Sequence, residues 1–438
     1  MRNAVKECRE YLIRSNGYCL GAFISLLITV SWGYYLVPGV ALLVAVMTLP
    51  FWGREWRWLD EEDLGWCLAL SGYAALWLAD VARTGHWPAG EQGWGVALPV
   101  WPLVAALLLT WMRCRPPAPD AWWAGIGCGA LGAGSIALFE RLIEHQERAD
   151  NGMNAIPFGD LSLLLGSLSL LAALYWPMRS GHACRYSTGS TGLTLLAALG
   201  GLLASLLSGT RGGWIALPLM AGLLLLAHWR GINGARSSRP LRYGVWGGAV
   251  MILVIAVLPQ SGVVDRLIHA WSQSQAYALG EDRTSSVGLR LEMWRGGWQL
   301  FQQRPWFGWG EGRLMEAMQA LADQGRIHPD AVQFGQLHSD IIDTLARRGI
   351  AGLIALAGLY GVPIWLFTRR LQHHQARVRV LAVAGLMITT AFILFGLTQT
   401  LLRDVRGLSG YLGLSIGCWV VMRGEELDSR ASGRVRSP

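Results

Sequence analysis

The sequence predicts an all-α, polytopic membrane protein with about twelve transmembrane helices and one large helical loop outside the bilayer, between the ninth and tenth. Three observations carry this reading. Of 438 residues, 53% are apolar and only 15% are charged, where a soluble domain carries about a quarter charged residues. The charges cluster between uncharged stretches of about 20 residues, the length that crosses the hydrocarbon core as a helix. The 23 Trp gather near the ends of those stretches, as at Trp32, Trp52, Trp94, Trp122, Trp176 and Trp229, the boundary that indole rings favour.

Backbone groups in lipid must bond internally, so each apolar stretch reads as a helix. The expected spans lie near 18–34, 36–52, 64–82, 93–112, 121–143, 159–178, 190–208, 212–229, 243–258, 346–368, 380–399 and 407–422. A tight turn around Tyr34 to Pro38 joins the first two. The turn Gly209-Thr210-Arg211-Gly212-Gly213 joins the pair at 190–229. This divides the chain into 1–258 with nine spans, a loop at 259–345, three spans at 346–422 and a polar tail at 423–438, which reads as mobile from Glu425 onward.

Net charge is +8. The basic residues sit in short loops between spans, which points to membrane topology and away from nucleic acid. With the N-terminus in the cytoplasm, inside segments hold 22 basic residues and short outside loops hold six. Both termini are therefore expected inside, and the long loop outside. None of the seven Cys falls in that loop, so disulfides do not staple it, and no Cys/His spacing suggests a metal site.

Within the loop, Val287, Leu291, Trp294, Trp298 and Phe301 recur at helical spacing and predict an amphipathic helix that Pro305 ends. The glycine-rich turn Gly308-Trp309-Gly310-Glu311-Gly312 follows. Further helices are expected near 313–323 and from about 332 into the tenth span. The loop carries seven Arg and ten acidic residues, a net −3. Any anion it binds must be held by individual guanidiniums.

Three features on the outer side could carry chemistry. Arg211 stands between glycines at the mouth of two spans, where the next helix start offers free N–H groups to an anion. The same position suits an arginine that snorkels to lipid headgroups. Arg290 lies one turn before Trp294, where it could meet a ligand or simply pair with Glu292. His338, in Gln336-Leu337-His338-Ser339-Asp340, could serve as a general base near neutral pH or as a buried hydrogen-bonded ring. Two arginines can stabilise a departing diphosphate without a metal, because guanidinium binds oxygens in bidentate fashion and stays charged.

Four short motifs occur in order: Thr-Arg-Gly-Gly at 210–213, Arg-Leu-x-x-Trp at 290–294, Pro-x-Phe-Gly-x-Gly at 305–310 and His338-Ser339-Asp340. In these motifs and in its overall layout the chain resembles the bacterial O-antigen ligases. Their wider superfamily includes O-antigen polymerases and O-linked protein oligosaccharyltransferases. The resemblance implies a fold like the C-class membrane glycosyltransferases, in the bacterial inner membrane with the active site periplasmic. The implied donor is O-antigen on undecaprenyl pyrophosphate and the implied acceptor is a sugar hydroxyl of lipid A–core. Transfer would be inverting, with no metal or other cofactor. His338 would deprotonate the acceptor, and Arg211 and Arg290 would hold the pyrophosphate. Arg295, Arg313, Arg403, Arg406 and Asp340 are secondary candidates. No paired-carboxylate or Asp-x-Asp metal motif stands in the early outside loops, where many C-class enzymes keep an acidic metal ligand, although Asp80 lies nearby. A polymerase or a protein ligase of the same superfamily is the alternative. A polysaccharide-lipid transporter fits less well, because transporters place charges deep within their spans.

Overall fold

The computed structural model describes residues 2–49, 59–89, 95–176, 188–210, 212–229 and 263–434, and every regular element among them is a helix. In chain order the α-helices are α1 (Arg2–Leu26), α2 (Gly33–Met47), α3 (Glu61–Thr84), α4 (Ala97–Cys114), α5 (Pro119–Leu142), α6 (Ala155–Tyr175), α7 (Thr188–Ser208), α8 (Leu217–Trp229), α9 (Val263–Leu279), α10 (Ser286–Gln303), α11 (Arg313–Asp323), α12 (Asp340–Thr368), α13 (Ala376–Phe395) and α14 (Val405–Arg434). Nine helices among the described residues are long and apolar enough to cross a membrane, and α2 is a shorter apolar helix. The expected span at 243–258, Trp52, Trp94, Cys184 and the basic loop at Arg230, Arg236, Arg239 and Arg242 lie outside the described residues.

Two boundaries differ from expectation. The first hairpin turns at Leu27–Trp32, not around Tyr34 to Pro38, and Pro38 sits inside α2. The chain also stays helical well beyond 422. Arg423, Glu425 and Glu426 are buried, because Arg423 pairs with Glu426 and Asp60, and Arg377 with Glu425. Polarity suggested a free tail, but paired charges can be covered where lone ones cannot.

The chain forms two compact units. One comprises Met1–Ala79, Pro88–Asn233 and Ile354–Pro438. Its helices approach through small residues, as membrane helices do where no aqueous hydrophobic drive separates them. A Cβ on Gly125 would lie 2.7 Å from the Gly21 carbonyl oxygen, and one on Gly134 would lie 2.6 Å from the Gly200 Cα. At one end of this bundle Asp63 accepts from the Arg113 guanidinium at 3.2 Å and the Trp419 indole at 2.7 Å.

The other unit comprises Asp80–Trp87 and Gly234–Leu353. Met293 and Leu300 of α10, Leu314, Met318 and Leu321 of α11, and Ile327 and Leu337 form its core. Full burial of each such side chain stabilises by roughly 1.5–3 kcal/mol. The face of α10 that points inward is rotated from the expected one. Gly288, Glu292, Met293, Gly296, Gly297 and Leu300 are buried, while Trp298 is exposed. The two glycines admit neighbours, since Gly296 faces Met318 and Gly297 faces Leu337 and Ile342. Counting only large apolar residues hides such a face.

Glu292 is fully buried and lies in this core. It accepts from the Tyr277 hydroxyl of α9 and the His328 amide, both at 2.7 Å. Burial, and then the hydrogen bond to Glu292, push the Tyr277 hydroxyl above the usual tyrosine range.

The turn after α10 is threaded against α12. Gly349 breaks that helix with φ 62° and ψ −153°, and a broken helix leaves backbone groups without partners. The turn supplies them. Trp309 N donates to Ala346 O at 3.0 Å and Gly310 N to Arg347 O at 2.8 Å. Ile350 N donates to Pro305 O at 2.7 Å and Ala351 N to Trp306 O at 3.1 Å. Gly308 has φ 61°, and a Cβ there would lie 2.3 Å from the Arg347 carbonyl carbon.

Gly308→Ala is therefore expected to destabilise by about 2 kcal/mol or more, read as a lowered unfolding midpoint of the purified protein. Tyr277→Phe should cost on the order of 1–2 kcal/mol, because it removes a donor from a buried carboxylate. The raised tyrosine pKa means that the wild-type contribution is complete below the unfolded value of about 10 and is lost as pH rises through the folded value. The difference between the two proteins should therefore shrink above that pH.

Candidate active site

The segment that carries His338 is the best-defined part of the candidate site. Sequence spacing placed this residue on a helix. It stands instead two residues before α12, with φ 48°. The left-handed region costs an L-residue roughly 1–2 kcal/mol, so neighbouring bonds must hold it. The Trp294 indole donates to the Leu337 carbonyl at 3.0 Å. The Leu337 amide donates to Asp343 Oδ1 at 3.3 Å. Arg347 Nη2 donates to the Gly335 carbonyl at 3.0 Å. The His338 ring meets Phe334 edge to face, 5.4 Å between centroids, and is half-buried.

Beneath this turn runs a chain of charges, all buried except the partly exposed Arg83. Arg347 Nε donates to Asp343 at 2.9 Å, and its Nη1 to Glu311 Oε2 at 3.2 Å. Arg348 Nη2 donates to Glu311 Oε1 at 2.6 Å, and its Nε lies 3.6 Å from Asp80. Asp80 accepts from Arg83 at 2.7 Å and from the Glu311 amide at 3.2 Å. Arg83 also donates to the carbonyls of Gly308 and Phe307, at 3.1 and 2.9 Å. Three cations thus meet three carboxylates. Removing one of the buried partners, Arg347, Arg348, Asp343, Glu311 or Asp80, typically costs about 3–5 kcal/mol, because an uncompensated charge remains. Asp80, which has no acidic neighbour within several residues of sequence, is engaged by two guanidiniums and an amide.

Arg290 lies one helical turn before Trp294 on α10, so the two share a face. It is half-buried. The Trp294–Leu337 bond ties that face to the His338 turn, and the segments 290–294 and 335–340 thereby belong to one packed body. Glu292, a possible partner for Arg290 by sequence, instead receives Tyr277, His328 and the Arg295 guanidinium at 3.7 Å. Arg295 is half-exposed, and Arg313 opens α11 in an exposed position. Asp340 is buried as the first residue of α12.

Arg211 lies outside the described residues, but its flanks explain the glycines around it. Arg148 Nε donates to the Ser208 carbonyl at 2.8 Å, and the Ser208 and Thr210 hydroxyls share a 2.8 Å hydrogen bond. A Cβ on Gly212 would lie 2.4 Å from the Thr398 hydroxyl, and one on Gly213 would lie 2.2 Å from the Asp160 carboxyl. The chain then enters a 3-10 turn at Gly212–Ala216 and α8. Arg403 and Arg406 belong to the same unit as this turn. Arg403 lies over Trp77, 5.7 Å from the ring centre. Arg406 lies 4.9 Å from the Tyr34 ring centre and donates to the Ser31 carbonyl at 2.9 Å.

Among the described residues, no group of three or more His, Cys, Asp and Glu could hold a metal ion. The positions that sequence reasoning missed are Arg347, Arg348 and Glu311. Two signals were available: an Arg pair abutting an uncharged span, and a carboxylate enclosed by glycines.

The chain is 25% identical over 296 residues to an uncharacterized protein of Haemophilus influenzae (strain ATCC 51907 / DSM 11121 / KW20 / Rd), covering 68% of this chain and 71% of that protein. A family model described as O-antigen ligase matches residues 195–357. The matched region runs from α7 to the middle of α12, and so spans the Thr-Arg-Gly-Gly turn, α10, the Gly308 turn and His338. Over these residues the chain is similar to the O-antigen ligase family.

Proposed function

We propose that this protein is a glycosyltransferase that moves O-antigen glycan from undecaprenyl pyrophosphate to a sugar hydroxyl of lipid A–core, at the periplasmic face of the inner membrane. The similarity of residues 195–357 to the O-antigen ligase family supports the ligase and polymerase class of activity. The observation that carries the finer reading is the Trp294–Leu337 hydrogen bond, which ties the helix of Arg290 to a strained histidine turn. The excess of basic residues in the expected inside segments supports cytoplasmic termini and a periplasmic loop over 259–345.

In this reading His338 accepts the acceptor hydroxyl proton as the oxygen attacks the anomeric carbon. The bond from that carbon to the diphosphate oxygen breaks, and the diphosphate leaves with the electron pair. Attack opposite the leaving group inverts the centre. Arg290 and Arg211 hold the diphosphate oxygens and stabilise the charge that develops on them. Arg295, Arg313, Arg403 and Arg406 are second-rank contacts, and Asp340 supports the start of α12. Both substrates are lipid-anchored, so they meet by diffusion in the plane of the membrane. The engagement of Asp80 by Arg83 and Arg348 suits a mechanism in which guanidiniums stabilise the leaving group.

The decisive assay uses purified protein in lipid, undecaprenyl-linked glycan as donor and, in parallel, lipid A–core, free glycan chain and peptide as acceptors. Transfer to lipid A–core alone is expected. Transfer to glycan alone would make the protein a polymerase, and transfer to peptide a protein ligase. His338→Ala should leave donor binding intact and lower transfer by at least about a hundredfold, the lower range of general-base contributions. Unchanged transfer would refute the base assignment. Arg290→Lys and Arg211→Lys should each lose most activity, because an ammonium lacks the planar fork. Near-wild-type rates in these variants would exclude bidentate contact.

A further inference from the structure

The turn between α10 and α11 presents two large aromatic side chains outward. Trp306 is 67% exposed and Phe307 63%. Their backbones are fixed. The Trp306 carbonyl accepts from the Ala351 amide, the neighbouring Pro305 carbonyl accepts from Ile350, and Arg83 holds the Phe307 carbonyl. A segment bound this tightly, with such rings left uncovered, calls for a partner.

The depth of Ile350 and Ala351 identifies it. α12 is one of the helices able to cross a membrane. Its charges stop at Arg348 and resume at Arg369 and Arg370, and the run at 350–368 has none. At 1.5 Å per residue this run is about 28 Å long, the thickness of the hydrocarbon core. Ile350 therefore stands at one edge of the hydrocarbon. Residues bonded to its amide and to the next stand at the same level, where Trp and other amphipathic rings partition into lipid headgroups. We infer that Trp306 and Phe307 form a lipid-docking surface at the headgroup boundary that fixes the depth of the His338 turn.

The link to His338 is short and rigid. The same turn donates from Gly310 N to the Arg347 carbonyl, and the Arg347 side chain holds the Gly335 carbonyl and Asp343. A lipid contact at Trp306 and Phe307 thus sets the height of the histidine above the bilayer. Its benefit to catalysis rests on the glycosyl-transfer reading; the lipid contact itself does not.

The test separates the two. A photo-reactive benzophenone amino acid replaces Phe307 in one sample and the exposed Gln319 of α11 in another. Both proteins are reconstituted in vesicles of phosphatidylethanolamine and phosphatidylglycerol and irradiated. Lipid adducts at position 307 should exceed those at 319 by about tenfold, as expected for a ring held at the boundary. Equal yields, or adducts to protein alone, would overturn the inference whatever His338 does. In the second arm, Trp306→Ser with Phe307→Ser should raise the apparent KM for the lipid-linked donor about fivefold in vesicles. It should leave kcat near wild type and be indistinguishable from wild type in detergent, with Trp306→Tyr restoring the vesicle KM. A loss of kcat of equal size in both media would mark a merely structural role and reject the depth-setting claim.

Discussion

Asp343, Arg347, Glu311, Arg348, Asp80 and Arg83 form a continuous chain of charges inside one unit, and the rest of that unit is arranged around satisfying it. Desolvating an ion costs several kcal/mol, so no member can be left alone. Arg347 bonds Asp343, Glu311 and the Gly335 carbonyl. Arg83 reaches the Gly308 and Phe307 carbonyls as well as Asp80. The chain therefore fastens three things at once: the last turn of α3, the glycine-rich turn after α10, and the loop that presents His338. Each ion holds backbone as well as side chain, so rigidity extends to residues that carry no charge themselves.

Strain is kept where this support is strongest. Gly349 and His338 both adopt left-handed φ values, one breaking α12 and the other preceding it. Between them lie the two arginines and Asp343. The break at Gly349 opens the backbone groups that the Pro305–Gly310 turn satisfies. The turn at His338 is held by Trp294 and Asp343. A flexible loop could not keep an imidazole in one unfavourable conformation; a loop bonded at the residues before and after it can.

The other unit solves a different problem. Its helices meet in lipid, so small residues bring backbones close, as at Gly21 with Gly125 and Gly134 with Gly200. Its buried charges again come as sets. Asp63 meets Arg113 and Trp419, while Arg370 meets Glu62 and Glu426. The Thr-Arg-Gly-Gly turn follows the same logic of close approach. Gly212 and Gly213 lack side chains because Thr398 and Asp160 occupy that space.

Composition and helical spacing by themselves determined the all-helical membrane class, and α10 and α11 to within a residue or two. Those features depend on local composition and period, which a linear chain displays. Four short motifs were also legible, because Arg, Gly, Trp and His stand out within apolar sequence. The tertiary structure decided what those motifs do to one another. The face of α10 could not be read, because Gly296 and Gly297 enter the core as gaps for Met318 and Leu337 rather than as apolar mass. The conformation of His338 could not be read either, since it depends on Trp294, Asp343 and Arg347, residues that meet it only through folding. A carboxylate such as Asp80 looks solitary along the chain and becomes one member of a buried set in space. The reason is general: pairing energy depends on distance in three dimensions, and the partners of a buried charge need not be its neighbours in sequence.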